Sequence, residues 1–165
     1  NEIMNPKIIK AIMGIAAVVM LFVMFDTADA QRREVRGRGL TKRQVKTIIN
    51  RVEDRVDNFV KNFDKSLDRS RMDGTQREDW LNKRARDLEA ATDELSREFD
   101  RRDAWADNRE EVRRCLDIAS DIDRNLRSRR YGSVTEGNWS RVRYELNSLA
   151  DVYNMPKVGS AAYRQ

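Results

Sequence analysis

The chain has 165 residues, 33 of them basic and 28 acidic, with no histidine, one cysteine and a net charge of +5. That length allows one domain with a real core. The missing histidine removes the usual general base, the usual zinc ligand and the Glu-x-x-His motif of di-iron bundles in one step, so no cofactor and no metal is expected.

The chain opens with Lys7 and Lys10, an unbroken apolar run from Ala11 to Phe25, and then Asp26-Thr27-Ala28-Asp29-Ala30. This is the three-part layout of a secretory signal over residues 1–30, with Ala28 and Ala30 forming an A-x-A cleavage site. Met4 is the expected start codon and Gln31 the expected first residue of an exported protein, periplasmic or secreted. The rival reading is an uncleaved membrane anchor over residues 8–25, the one case in which the membrane would be a partner. The 15 apolar residues fall short of the span of about 20 that a bilayer requires. Arg32, Arg33, Arg36, Arg38, Lys42 and Arg43 pull the other way, because basic flanks tend to stay cytoplasmic. Length and cleavage site favour a cleaved signal.

Residues 31–39 read as a basic linker. Thr41 followed by Gln44 is a capping box, which starts a helix. Along it Val45, Ile49, Val52, Val56, Phe59, Phe63 and Leu67 recur at spacings of three and four, a heptad seam that faces a partner. Gly74 can take the left-handed conformation that ends helices. Thr75 with Glu78 then forms a second capping box, opening a helix with Trp80, Leu81, Ala85, Leu88, Leu95 and Phe99 inward.

A third helix is expected from about Asp107, presenting Val112, Cys115, Leu116, Ala119, Ile122 and Leu126, and ending near Tyr131-Gly132. Ser133 with Glu136 offers a third capping box, Thr135 being a competing cap, and Trp139, Val142, Leu146, Leu149 and Tyr153 follow at helical spacing. Asn154 and Pro156 stop that helix. The fold class is therefore all-α: an antiparallel up-and-down four-helix bundle over residues 40–155, made of two helical hairpins. Residues 156–165 lack periodicity and read as a flexible tail.

Cys115 lies on an apolar face and reads first as a core residue, with an intermolecular disulfide, and hence a homodimer, as the alternative. Glu53, Asp54 and Asp57 lack the loop spacing and the glycine of a calcium site. No nucleophile–base constellation or phosphate loop is visible, so the chain is read as not an enzyme.

Beyond residue 30, 25 of the 31 basic residues are arginine. Acids stand four residues ahead of bases at Asp57–Lys61, Asp79–Lys83, Asp93–Arg97, Glu98–Arg102, Glu110–Arg114 and Asp123–Arg127, the order that supports a helix by about 0.2 to 0.5 kcal/mol per pair. Two stretches largely escape this matching: Arg32 to Arg43, and Arg124, Arg129 and Arg130 running towards Arg141 and Arg143. The second group is the candidate anion or partner contact, with Tyr131 and Trp139 as possible aromatic contributors.

From Leu40 to Tyr153 the sequence resembles a set of uncharacterised exported bacterial helical proteins, through Asp68-Arg69-Ser70-Arg71-Met72-Asp73-Gly74-Thr75, Phe99-Asp100-Arg101-Arg102 and the stretch from Trp139 to Tyr153. That resemblance implies no activity. Leu40-Thr41-Lys42-Arg43-Gln44 is similar to the L-T-x-x-Q motif of periplasmic stress chaperones related to Spy and CpxP, which carry two copies where this chain has one. The resulting expectation is an exported, non-enzymatic helical bundle that binds or gives structure in the cell envelope. Its partners would be envelope proteins or anionic envelope polymers. The alternatives are a chaperone of the Spy and CpxP type and a binder of nucleic acid or another anionic polymer through arginine.

Overall fold

A computed structural model describes residues 39–68, 74–128 and 131–163. The signal-like segment with Ala28 and Ala30, almost all of the basic linker, the Leu67 side chain, Arg129 and Arg130 lie outside the described residues. Four helices follow in order: α1 (Lys42–Asp68), α2 (Gln76–Arg101), α3 (Arg109–Arg127) and α4 (Ser133–Val152). There is no strand among the described residues, so the fold is an all-α bundle. None of these helices is long and apolar enough to cross a membrane.

The packing order follows from side-chain pairs. Lys46 near the start of α1 reaches Asp100 near the end of α2 at 2.7 Å. Arg51 pairs with Glu145 at 3.0 Å while Phe59, two turns on, meets Trp139, earlier in α4. Arg77 at the start of α2 reaches Ser128 just past α3, at 2.7 Å, and Arg84 meets Asp121. Asp123 and Trp139 join α3 to α4 at 2.9 Å. Positions early in one helix meet positions late in its neighbour, so these neighbouring helices are antiparallel.

The heptad seam is the inner wall of α1. Val45, Ile49, Val52, Val56, Phe59 and Phe63 are all buried, and each apolar side chain so removed from water contributes roughly 1.5 to 3 kcal/mol relative to exposure. The first two caps form as expected. The Gln44 amide N–H donates to the Thr41 hydroxyl at 3.3 Å while the Thr41 N–H donates to the Gln44 side chain at 2.8 Å. The Glu78 N–H donates to the Thr75 hydroxyl at 3.2 Å, and the Glu78 carboxylate reaches one residue further back, to the Gly74 N–H at 2.7 Å.

Several expectations need correction. Trp80 is 37% exposed rather than inward, with the Arg84 guanidinium 5.9 Å from its ring centroid. It sits one residue, about 100° of helix, off the stripe defined by Leu81, Ala85 and Leu88. Ser133 does not cap α4. Gly132, at a φ of 93°, takes that position without a side-chain bond, and Glu136 accepts instead from the Tyr131 N–H at 3.3 Å. A 3-10 turn, Trp105–Asn108, precedes α3, so the α-helix proper starts two residues later than expected.

The segment after α4 is not a flexible tail but returns to the bundle. Asn154 adopts a φ of 50° and the Met155 N–H donates to the Ala150 carbonyl at 2.8 Å, the Schellman arrangement that reverses the chain. Met155 and Val158 are buried, and the Val158 N–H donates to the Asn147 side chain at 2.8 Å. Two apolar anchors over four residues are too few to register as a period.

Of the six expected acid-first pairs, Glu98–Arg102 and Asp123–Arg127 close, at 3.3 and 2.7 Å. Lys83 pairs instead with Asp87, Arg97 with Glu94, and Glu110 with Arg113. Asp57 faces acids across the α1–α2 interface: partial burial, then Asp93 and Asp54, hold its pKa above the usual carboxylate value. Burial, Asp57 and Asp93 do the same to Glu89. A raised carboxylate pKa adds stability below the unfolded value and loses it as pH rises through the folded one. Asp57→Asn is therefore expected to stabilise the protein at pH 7 by a few tenths of a kcal/mol, given its exposure, and to have no effect near pH 3. Equal effects in thermal melts at both pH values would contradict the repulsion.

Candidate functional site: an aspartate that holds two arginines

Asp123 sits on the apolar side of α3, four residues after Ala119 and one after Ile122, and is only 2% exposed. A charge so removed from water is stable only when paired and hydrogen-bonded. Three donors meet it: the Trp139 indole N–H at 2.9 Å, the Arg143 guanidinium at 3.1 Å and Arg127 Nε at 2.7 Å. Helical spacing makes this possible. Arg127 lies four residues after Asp123 on α3, and Arg143 four after Trp139 on α4.

Behind this hub is an aromatic stack, with Phe59 5.2 Å from Trp139 and 4.7 Å from Phe63 between ring centroids. In front lies a cleft of about 450 Å³ between α3 and α4, lined by Asp123, Leu126, Arg127, Glu136, Trp139 and Arg143. Each guanidinium offers Asp123 part of its five-donor fork, and its remaining N–H groups suit an oxyanion in two-point fashion. The cleft thus combines apolar wall with two positioned cations and two carboxylates that are already engaged, Asp123 by its three donors and Glu136 by the Tyr131 N–H, the general make-up of a ligand site.

The arginines singled out from the sequence do not form one patch. Arg143 is in the cleft. Arg124 stands on the other side of Arg127, donating to the Tyr163 carbonyl at 2.8 Å and lying 3.8 Å from Asp121. Arg141 is exposed two residues, about 200°, around α4 from Arg143, and has no partner among the described residues. Trp139 is buried in the core, while Tyr131 is half-buried. In the sequence Asp123 and Arg127 stand four apart, acid first, and look like a self-neutralised surface pair. The available signal was an acid on the apolar stripe of the third helix.

Other candidates find structural roles. Cys115 is 0% exposed, and burial pushes its thiol pKa up to about 12. An intermolecular disulfide there would require α3 to leave the core. A thiol reagent such as dithionitrobenzoate is expected to label Cys115 only after denaturation, and stoichiometric labelling of the folded protein within minutes would contradict this placement. The polar atoms of Thr41 and Gln44 in the L-T-x-x-Q stretch are engaged in their own cap. Lys42 within it donates to the Arg102 carbonyl at 2.6 Å, which ties α1 to the end of α2. No cluster of three or more metal-ligating side chains occurs among the described residues.

No protein-family model matches this chain, and neither curated proteins nor solved structures show significant similarity to it.

Proposed function

We propose that this is an exported, non-enzymatic helical-bundle protein that binds anionic groups of the cell envelope through the arginines held at the α3–α4 cleft. The observation that carries the binding part is the geometry at Asp123: one buried carboxylate fixes Arg127 and Arg143 beside an open cleft of about 450 Å³. Fixing a guanidinium in advance lowers the ordering cost when an oxyanion binds. Export rests on the signal-like layout ahead of Gln31, and the non-enzymatic reading on a chain without histidine.

Two measurements test it. N-terminal sequencing of protein from the envelope fraction is expected to begin at Gln31, whereas an intact N-terminus in the cytosol would remove export from the proposal. Binding to lipopolysaccharide is expected to weaken in Arg143→Gln but not in Arg113→Gln, which lies on the α2–α3 side. Suppression of client aggregation at stoichiometric ratio, with no anion binding, would favour a chaperone instead.

A further inference from the structure

Behind the Asp123–Arg127 pair is a second, smaller cavity of about 160 Å³, closed by the segment that returns after α4. Its α3 wall carries Ser120, Asp123, Arg124 and Arg127, and its other wall Gly159, Ser160 and Tyr163. Two of its hydroxyls stand out. Ser120 is 4% exposed and its Oγ has no hydrogen-bond partner, and the Ser160 Oγ is likewise buried without one. Buried polar atoms are nearly always satisfied, so a pair of unsatisfied hydroxyls in one cavity points to a guest.

The surroundings decide what kind of guest. Arg127 engages Asp123 through Nε, and Arg124 engages the Tyr163 carbonyl through one Nη, so each guanidinium has donors left over. Asp123 already accepts from three groups and Asp121 is paired with Arg84, which leaves little carboxylate charge for a cation. The cavity is several times the ~30 Å³ that a single water occupies in the liquid. The chain is also shaped to bring this wall close. Gly159, at a φ of 84°, lies so near Arg127 that a Cβ there would overlap the guanidinium and come within 3.0 Å of the Asp123 carboxylate.

We infer that this cavity binds a small tetrahedral oxyanion, phosphate or sulfate, accepting from the Ser120 and Ser160 hydroxyls and from the free N–H groups of Arg124 and Arg127. The inference does not depend on export or on the α3–α4 cleft. A bound oxyanion would also staple the return segment to α3, since its ligands come from both.

The test is ³¹P line broadening of inorganic phosphate titrated with the purified full chain at constant ionic strength, with sulfate as competitor. Saturable broadening that sulfate reverses is expected. Ser120→Ala removes a hydroxyl that makes no protein bond, so folding is preserved, and loss of one hydrogen bond to a charged group should weaken phosphate about tenfold. Ser160→Ala should act in the same direction. Absence of saturable broadening, or unchanged affinity in both serine variants, would overturn the inference. Saturation that chloride reverses as well as sulfate does would also count against it, because a tetrahedral site discriminates between them.

Discussion

Asp123→Ala is expected to lower folding stability by about 3 kcal/mol. Truncation leaves the Trp139 indole N–H buried without an acceptor, at roughly 1 to 3 kcal/mol, and removes the shared counter-charge of Arg127 and Arg143. Breaking a fully buried pair costs about 3 to 5 kcal/mol. Here both guanidiniums are partly exposed and can turn to water, which moves the expectation to the lower end. Asp123→Asn keeps the shape and one acceptor oxygen, so it should lose clearly less. Urea unfolding of the three proteins checks the order, and an alanine variant within 1 kcal/mol of the parent would show that Asp123 does not organise the α3–α4 end.

A comparable loss, about 3 to 5 kcal/mol, is expected for Phe59→Ala. Phe59 is 1% exposed and joins Phe63 on its own helix to Trp139 on α4. Its removal leaves a cavity beneath the hub, so indole fluorescence should shift to the red as water approaches Trp139. Phe59→Leu, which fills more of the space, should recover most of the stability. A loss in Phe59→Ala no larger than that of an exposed substitution such as Tyr144→Ala would contradict the central place of this stack.

These two sites show how far the sequence carries. The seam from Val45 to Phe63 was legible because a helical period is local, and each of those positions is buried. Caps at Thr41 and Thr75 were legible for the same reason: donor and acceptor lie within three or four residues. Trp80 was misplaced by a single residue, where period alone cannot choose between adjacent positions at the edge of a stripe.

What stayed hidden is what depends on distant partners. Asp123 and Arg127 look like an ordinary surface pair four residues apart, until Trp139 and Arg143 arrive from α4. The return segment was unreadable because Val158 is held by Asn147, and Arg124 by the Tyr163 carbonyl, contacts without a local signature. Ser120 gives no sign of being unsatisfied until the second wall of its cavity is in place. The arginine group was legible as a surplus of charge but not as a surface, since Arg141 and Arg143 turn to different sides of one helix.

The most direct measurement of the binding claim is the salt dependence of polyanion binding by the purified protein, with duplex DNA as a probe of defined charge spacing. Engagement of Arg127 and Arg143 predicts a slope of about −2 in log K against log salt, at about −0.9 per phosphate contact. Arg143→Gln should reduce that slope by about one, while Arg141→Gln, on the other side of α4, should leave it unchanged. No binding at low salt, or a slope that responds to Arg141 and not to Arg143, would contradict a function built on the α3–α4 arginines.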